Sequence, residues 1–191
     1  MSFLKLIVGL GNPGRDYSET RHNVGFRVID TLHEKVGSAA SWQEKGKMQL
    51  TEVMISGEKT KLLKPQSYMN NSGEPVSELM RFYKIEPAEI LVIHDEIDLP
   101  FGKLRLKAGG GDAGNNGLRS ITASLGTADY LRLRVGVGKP ENAEYEIASW
   151  VLSKFSPEER EKLPDLLKQA CGASLDLAEH GLKHAQNRFN C

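Results

Sequence analysis

The stretch FLKLIVGLGNPGRDYSETRHNVGF, residues 3–26, decides the fold class of this 191-residue chain. Its apolar run at residues 6–8 is short, partly β-branched and followed directly by glycine, which is typical of a buried strand. The glycines of GLGNPG, residues 9–14, let the backbone turn sharply, with Asn12 and Pro13 between them. We therefore expect a buried strand that ends in a tight turn.

A helix is predicted after this turn, because apolar residues recur at helical spacing and Thr20 is a suitable N-cap. The first turn of this helix would carry His22, and the glycine-rich turn before it carries Asn12. Both side chains are thus expected near the C-terminal end of a sheet, where open α/β folds bind ligands. The positions that define the buried face of the helix are Val24, Val28, Ile29, Leu32 and Val36.

A dinucleotide site is an alternative interpretation of the turn, since residues 9–14 match Gly-x-Gly-x-x-Gly after a strand. That site needs a helix beginning at the third glycine, so that its amides face the pyrophosphate. Here Pro13 removes one amide, and the predicted helix is delayed until Thr20. Asp30, an acid roughly 20 residues further on, lies inside a helical pattern, so the sequence disfavours a dinucleotide site.

Length and composition favour one domain, residues 1–191, in a cytoplasmic protein. Hydrophobic residues make up 39% and charged residues 26% of the chain, as in ordinary globular proteins. We expect neither a secretory signal, because the early apolar run is short and includes Lys5, nor a membrane-spanning stretch. Cys171 and Cys191 form no metal or disulfide pattern, which favours a reducing compartment.

The formal net charge is zero, but the charges are unevenly distributed. Residues 101–140 contain seven Lys and Arg against two Asp, a local charge of +5. Residues 141–191 contain six Lys and Arg against nine Asp and Glu, a local charge of −3. A basic surface of limited size indicates a polyanionic partner, although charge alone would fit a solvated sheet face equally well.

The segment KPQSYMNNSG, residues 64–73, has the proline, glycine and asparagine content of a loop. Taken alone, Asn70, Asn71 and Ser72 would cap the following helix, and Met69 would pack in the core.

A second buried strand is predicted at residues 90–93, and it leads directly into HDEID, residues 94–98. Acids clustered at the end of an apolar strand are costly unless they are solvated, paired or functional. Three acids so close could bind a divalent metal. No second group of acids or histidines stands out to complete the ligand set, so the sequence favours no metal.

Basic and apolar residues alternate in KLRLK, residues 103–107, and in LRLRV, residues 131–135. If the two strands pair, five cations share one sheet face, and the resulting repulsion favours a phosphate-bearing ligand. The glycine-rich loop between them ends in Asn115 and Asn116. One of these asparagines is expected to cap a helix over residues 117–125, whose amides could also meet an anion.

The last third of the chain is predicted to be structural. SPEE, residues 156–159, has capping-box spacing, and Pro164 is expected to begin a second, longer helix. His180 and His184 are four residues apart, as metal-binding pairs can be, but without the glutamate of HExxH they favour exposed surface. They fall off an apolar stripe formed by Leu166, Leu167, Ala170, Cys171, Leu175, Ala178, Leu182, Ala185 and Phe189.

The remaining polar residues suit the activation of a water molecule. No serine lies in Gly-x-Ser-x-Gly and neither cysteine lies in a loop beside a base, so covalent catalysis has no evident nucleophile. A histidine near a helix N-terminus, as expected for His22, is biased towards the neutral form that a general base needs. Asp95 would fix its tautomer, and an amide such as that of Asn12 could stabilise an oxyanion. Without such neighbours, His22 would be expected only to cap a helix.

Six blocks of sequence resemble the bacterial peptidyl-tRNA hydrolase family along nearly the whole chain. They are VGLGNPG at 8–14, TRHNVGF at 20–26, KPQSYMNNSG at 64–73, HDEIDLPFGKLRLKAGGG at 94–111, GNNGL at 114–118 and RLRVGVGKP at 132–140. The resemblance implies a single α/β domain with a mixed twisted sheet, helices on both faces and a long C-terminal helix. It also implies a monomer that hydrolyses the ester between peptide and tRNA, without a cofactor, a metal or a covalent intermediate. The partner would be peptidyl-tRNA, held by its acceptor end and the C-terminal part of the peptide.

Matched position by position, His22 resembles the catalytic base of the family and Asp95 its partner. The family usually has histidine where this chain has Asn115, so a role that needs an ionisable ring there does not carry over. The amide of Asn115 can still donate and accept hydrogen bonds. Lys107 and Arg134 match residues that engage the tRNA phosphate, and Arg105 is expected to assist. Substrate-binding residues are implied at Asn12, Tyr17, Asn23, Tyr68, Met69, Asn70, Asn115 and Asn116.

Two other functions remain as alternatives. One is an RNA-binding relative that has lost hydrolysis, and the presence of both His22 and Asp95 disfavours it. The other is a nucleotide-dependent enzyme that uses the glycine-rich turn. It is disfavoured because the acid roughly 20 residues after the turn, Asp30, lies in a helical pattern and not at a strand end where it could hold a ribose.

Overall fold

The computed structural model describes residues 2–37 and 39–190, and seven strands within them form one sheet. The strands are β1 Leu6–Gly9, β2 Gln43–Lys45, β3 Met48–Ile55, β4 Glu58–Pro65, β5 Ile90–Glu96, β6 Leu104–Ala108 and β7 Leu131–Gly136. Their order across the sheet is β2-β3-β4-β1-β5-β7-β6. The apolar strand β1 therefore lies at the centre, and all four of its residues are buried.

The sheet is mixed. β1 is parallel to β4 and β5, and β5 is parallel to β7. β2, β3 and β6 run antiparallel to their neighbours. Four parallel strands thus end at one edge, and the chain leaving β1 and β4 there carries Asn12 and Met69. The last residues of β5 include Asp95, so this edge gathers the polar residues that the sequence singled out.

Helices cover both faces of the sheet. They are α1 Val24–Val36, α2 Gly73–Tyr83, α3 Asn116–Leu125, α4 Ile147–Val151, α5 Pro157–His180 and α6 Leu182–Phe189. α1 and α5 pack on one face in a core that includes Ile7 and Ile93. α2 and α3 pack on the other face in a core that includes Val8 and Val92. The predicted α/β fold, with helices on both faces and a long C-terminal helix, α5, of 24 residues, is confirmed.

Glycine is required where α1 crosses the sheet. A Cβ atom on Gly9 would lie 2.3 Å from the carbonyl oxygen of Gly25, and one on Gly25 would lie 2.4 Å from that of Ile93. Side chains cannot be accommodated at such distances in a close-packed interior. Gly9 therefore allows α1 to pack closely on β1. This packing accounts for the first glycine of the dinucleotide-like pattern, and no bound nucleotide is needed to explain it.

Helix α1 begins later than predicted. A 3-10 turn over Arg21–Asn23 comes first, and α1 starts at Val24. Thr20 occupies the N-cap position of this turn, but its hydroxyl donates to the carbonyl of Tyr17 at 2.8 Å and caps no amide. His22 therefore lies in the 3-10 turn and not in the first turn of an α-helix.

The prediction that Pro164 begins a new helix is wrong. α5 runs unbroken through Pro164, because Leu163 and Leu166 are buried on either side and their packing outweighs the hydrogen bond that proline removes. The chain breaks instead at Gly181, where φ is 86°, and α6 follows. The predicted capping box at the start of α5 is confirmed.

The two cysteines differ in what the structure says of them. Cys171 is a buried free thiol in α5. Cys191 lies outside the described residues. Over the described parts of the chain, no helix has both the length and the apolar character needed to cross a membrane.

Candidate active site

His22 and Asp95 form a buried hydrogen-bonded pair at the edge where the parallel strands end. Nδ1 of His22 lies 3.0 Å from Oδ1 and 2.9 Å from Oδ2 of Asp95. An ionised carboxylate only accepts, so Nδ1 carries the proton and Nε2 is left as the basic nitrogen. Nε2 has no hydrogen-bond partner in the described chain, and it is accessible to solvent. It can therefore take a proton from a bound molecule.

The pKa of His22 is raised above the ordinary histidine value of 6.5. Burial of the ring lowers this pKa, but the charge of Asp95 and the hydrogen bond to its carboxylate raise it by more. The sequence predicted that a helix N-terminus would favour the neutral ring. The pKa is raised instead, because His22 lies in a 3-10 turn and faces a carboxylate. The neutral ring is a stronger base as a result.

Arg21 fixes the turn that carries His22. It is only 3% exposed, and Nη1 donates to Oγ of Ser153 at 2.6 Å while Nη2 donates to Oε1 of Glu159 at 2.7 Å. Its guanidinium carbon lies 3.6 Å from the ring centroid of Trp150. No pattern in the sequence pointed to Arg21. Its partners lie more than 125 residues away in the chain, so no local pattern could have revealed them.

The side chain of Asn12 is held in one orientation, in which its Nδ2 group remains free to donate. Its Oδ1 accepts from the backbone N–H of Met69 at 2.7 Å. Its own backbone N–H and carbonyl both bond to the Asn23 amide at 2.9 Å. Nδ2 of Asn12 has no partner in the described chain and is not enclosed, so it is available to a bound molecule. Asn23 is 2% exposed with both amide groups engaged, which makes it a support for Asn12.

Asn115 joins the carboxylate of Asp95 to the start of α3. Its Oδ1 accepts from the backbone N–H groups of Gly117 at 2.9 Å and Leu118 at 3.1 Å, which confirms the predicted cap. Its Nδ2 donates to Oδ1 of Asp95 at 3.2 Å. Asp95 therefore bonds to both His22 and Asn115, which share its Oδ1. The sequence had indicated the cap but not this second contact.

Of the other predicted substrate residues, Met69 is buried, and Tyr17, Tyr68, Asn70 and Asn116 reach the surface beside these groups. Tyr68 and Asn70 flank Met69, whose amide bonds to Asn12, and both are exposed. Tyr68 is 53% exposed with φ of 65°, and its ring centroid lies 6.5 Å from that of Tyr17. The side chains of Asn70 and the exposed Asn116 form no hydrogen bond in the described chain, so both remain available.

The alternative in which residues 70–72 cap the next helix is not realised. Ser72 occupies the N-cap position of α2, but its side chain caps no amide. Its hydroxyl donates instead to the carbonyl of Met69 at 2.7 Å, which holds the loop beside Asn12. Met69 itself is 4% exposed, as expected for a core residue.

The predicted basic strands do pair. β6 and β7 are antiparallel, with Arg105 opposite Arg134 and Lys107 opposite Arg132. Lys103 precedes β6, so four cations and not five stand in the paired strands. Arg105 and Lys107 are exposed and Arg134 is half-buried. These three therefore form a basic face that solvent can reach.

Glu96 fixes one member of this basic face. Nε of Arg134 donates to Oε1 of Glu96 at 2.8 Å, and Glu96 is 3% exposed. Asp95, its neighbour in β5, points to the other side and bonds to His22. The acids of residues 94–98 thus have separate partners, and in the described chain they do not converge as a metal site.

Arg132 does not belong to the exposed basic surface that the charge pattern predicted. It is 2% exposed, and its guanidinium donates to the carbonyls of Gly110 and Gly111. It therefore holds the glycine-rich loop that leads to Asn115. The alternation of basic and apolar residues does not distinguish Arg132 from Arg134, and only the contacts with the loop do so.

His94 is also buried, and no role was predicted for it from the sequence. Its Nδ1 donates to the carbonyl of Asp95 at 2.8 Å, and burial lowers its pKa, which keeps the ring neutral. With Lys107, Arg132 and Arg134 it lines a pocket of ≈ 250 Å³ beside the basic face. Glu96 also lines this pocket, so three cations stand against one carboxylate, and the net positive charge favours an anion.

Comparisons with known proteins agree on one family. The family model described as peptidyl-tRNA hydrolase matches residues 6–191. A peptidyl-tRNA hydrolase of Nocardia farcinica is 48% identical over 185 residues, which cover 97% of this chain and 95% of the relative. One from Mycobacterium tuberculosis is 45% identical over 97% of this chain and 96% of its own length.

A solved structure gives the same result. The crystal structure of peptidyl-tRNA hydrolase from Acinetobacter baumannii superimposes with a TM-score of 0.91 at 37% sequence identity. The match covers 100% of this chain and 96% of that one. The chain belongs to the peptidyl-tRNA hydrolase family.

Proposed function

We propose that this chain hydrolyses the ester bond between peptide and tRNA in peptidyl-tRNA, with His22 as the general base for an attacking water. Family membership supports the reaction. The single observation that carries the mechanism is the bond from Nδ1 of His22 to Asp95, which leaves Nε2 free. The products are the free peptide acid and a tRNA that can be charged again.

The water gives its proton to Nε2 of His22 as its oxygen attacks the ester carbonyl. The imidazolium that forms keeps its bond to Asp95, whose charge stabilises it. Asn115 donates to the same carboxylate and limits its rotation. The proton on Nε2 can then pass to the departing ribose oxygen, so that water is added across the ester and no covalent enzyme intermediate forms.

The negative charge that develops on the carbonyl oxygen needs a fixed donor. Nδ2 of Asn12 fits this role, because the amide of Met69 holds its Oδ1 and Asn23 holds its backbone. A donor oriented before the reaction stabilises an oxyanion without further reorganisation. Asn70 and Asn116, whose side chains are exposed and unpaired, suit the binding of the peptide and the terminal nucleotide.

The phosphate backbone of the tRNA would bind to the basic face of Arg105, Lys107 and Arg134. Glu96 fixes the side chain of Arg134 at its Nε, which leaves its terminal nitrogens for a phosphate. Lys107 and Arg134 line the same pocket, so one phosphate can contact both. These contacts would position the acceptor end without reading its sequence.

The catalytic groups all come from a single chain, so the proposal needs no second copy and we propose a monomer. The substrate arises in translation, so we propose that the chain works in the cytoplasm.

A cleavage assay on purified peptidyl-tRNA, with and without added nucleotide, tests the proposed function. Ester cleavage that does not depend on nucleotide supports it. Binding without cleavage would favour an RNA-binding protein, and cleavage only with nucleotide would favour the nucleotide-dependent alternative.

A further inference from the structure

One carboxylate and two imidazoles converge at the junction of α5 and α6, apart from the proposed active site. Asp176 and His180 lie one turn apart on α5, and His184 lies on α6. The break at Gly181, with φ of 86°, turns the chain so that His184 comes back beside them. The nitrogen and oxygen atoms that could bind a metal all lie within 4.8 Å of one another.

Asp176 is buried, and hydrogen bonds hold its carboxylate in place. It is 5% exposed, and its Oδ1 accepts from Nη1 of Arg188 at 2.6 Å. Its Oδ2 accepts from Nδ1 of His184 at 2.8 Å. Burying a carboxylate is costly unless it is paired, and these bonds fix both of its oxygens.

The two imidazoles remain open to solvent. The side chains of His180 and His184 are 45% and 49% exposed. Their ring centroids lie 4.4 Å apart with an angle of 43° between the rings. A fixed carboxylate with two accessible imidazoles beside it gives three ligands and an open approach for an ion.

We propose that Asp176, His180 and His184 bind a divalent transition-metal ion of the zinc class. Imidazole nitrogen with one carboxylate oxygen suits zinc, nickel and copper, whereas magnesium and calcium prefer oxygen ligands. Metal–ligand bonds of about 2.0–2.2 Å place neighbouring ligand atoms roughly 3–3.5 Å apart. The present 2.8 Å between Asp176 and His184, and the 4.8 Å limit for all three, require only small side-chain movements.

The ion would replace one proton and keep the remaining contacts. The metal takes the place of the proton between Nδ1 of His184 and Asp176, and the neutral ring then carries its proton on Nε2. Arg188 keeps its bond to the other oxygen of Asp176, as the outer partners of metal-binding carboxylates do. Water would complete the coordination.

A bound ion would hold α6 against α5. This helix reaches the edge strand β6, where Nε2 of Gln186 donates to the carbonyl of Leu106 at 3.0 Å. Oδ1 of Asn190, which follows α6, accepts from the backbone N–H of Leu106 at 2.7 Å. An ion that ties His184 of α6 to α5 therefore stabilises the contacts that cover β6.

Zinc titration of the full chain tests the site. We expect chelator-treated protein at about pH 7.5 to bind one Zn²⁺ by calorimetry with a dissociation constant on the order of 10 µM, weaker than four-ligand structural sites. His180→Ala and His184→Ala should each weaken binding at least about tenfold. His33→Ala is the matched control, since this histidine of α1 bonds to the carbonyl of Ala40, and it should bind zinc like the wild type.

His180→Ala is the decisive variant, because it leaves the bonds of Asp176 to His184 and Arg188 intact and its folding is not at risk. In the wild type, zinc should raise the unfolding temperature, and in His180→Ala this rise should be lost. No saturable binding up to about 1 mM zinc, or equal affinity in both histidine variants and the wild type, would overturn the site. Those results would mean that Asp176 serves only as an ion-pair partner holding α6.

Discussion

Nδ2 of Asn115 donates to Oδ1 of Asp95 at 3.2 Å, while Oδ1 of the same amide caps α3. One side chain therefore ties the start of a helix to the carboxylate that holds His22. The amide of Asn115 thus forms both contacts at once. The contact makes the geometry of the base depend on the loop that leads into α3.

Replacing Asn115 separates these two effects. In Asn115→Asp the cap is kept, because aspartate is as good an N-cap as asparagine. The new carboxylate faces Asp95, raises the pKa of His22 further, and should lower kcat/KM at neutral pH by about tenfold. Steady-state kinetics with a urea unfolding curve measure this.

Asn115→Ala is the matched control. It should lose about 1 kcal/mol of stability with the cap, and its pH profile should not move to higher pH. If the Asp variant had wild-type activity at neutral pH, the contact with Asp95 would be irrelevant to the base.

The basic face predicts a change in salt dependence. Lys107→Ala should weaken tRNA binding and reduce the slope of log affinity against log salt by about 1, because one phosphate contact is lost. The effect on kcat at saturating substrate should be smaller. Lys59→Ala, which removes an exposed cation of β4, should leave the slope unchanged. Equal slopes in both variants and the wild type would place the phosphate elsewhere.

Arg21 should stabilise the fold through the turn that carries His22. Arg21→Met removes a buried cation from Glu159 and Trp150 and should lower the free energy of unfolding by about 3 kcal/mol. Lys154→Met breaks an exposed pair with Glu19 and should cost less than about 1 kcal/mol. Denaturant titration compares the two, and equal losses would contradict the anchoring role of Arg21.

His22→Ala should abolish most of the activity without preventing binding. We expect kcat to fall by about two to four decades, with substrate affinity largely retained, because the ring acts as a base and not as a binding group. Wild-type activity should persist in EDTA, even if the zinc site proposed at the C-terminal helices is emptied. Full activity in His22→Ala, or an EDTA-inhibited wild type, would refute this role.

Local patterns in the sequence predicted what depends on local contacts. The continuous apolar run at residues 6–8 corresponds to β1, which is buried throughout, and the alternation at residues 131–135 corresponds to β7. The cap by Asn115 was also predictable, since its partners lie two and three residues away. The continuity of α5 through Pro164 was not, because it depends on tertiary packing.

Long-range partners could not be predicted in this way. His22 and Asp95 are 73 residues apart, and their pairing was expected from the chemistry of the two side chains and from the family resemblance, not from any local spacing. Arg21 and Arg132 look like surface cations in the sequence, yet each is buried by contacts with distant segments. The convergence of His180 and His184 on Asp176 depends on the turn at Gly181, which no spacing rule had indicated.

The most direct test of the base is the pH dependence of kcat/KM in the wild type and in Asp95→Asn. His22 acts only when neutral, so wild-type activity should fall as pH drops through a pKa above 6.5. In Asp95→Asn the burial that lowers this pKa remains and the charge that raises it is gone. The acidic limb should therefore move to lower pH, while the plateau drops by about two decades or more. An acidic limb at the same pH in both proteins would contradict His22 as a base tuned by Asp95.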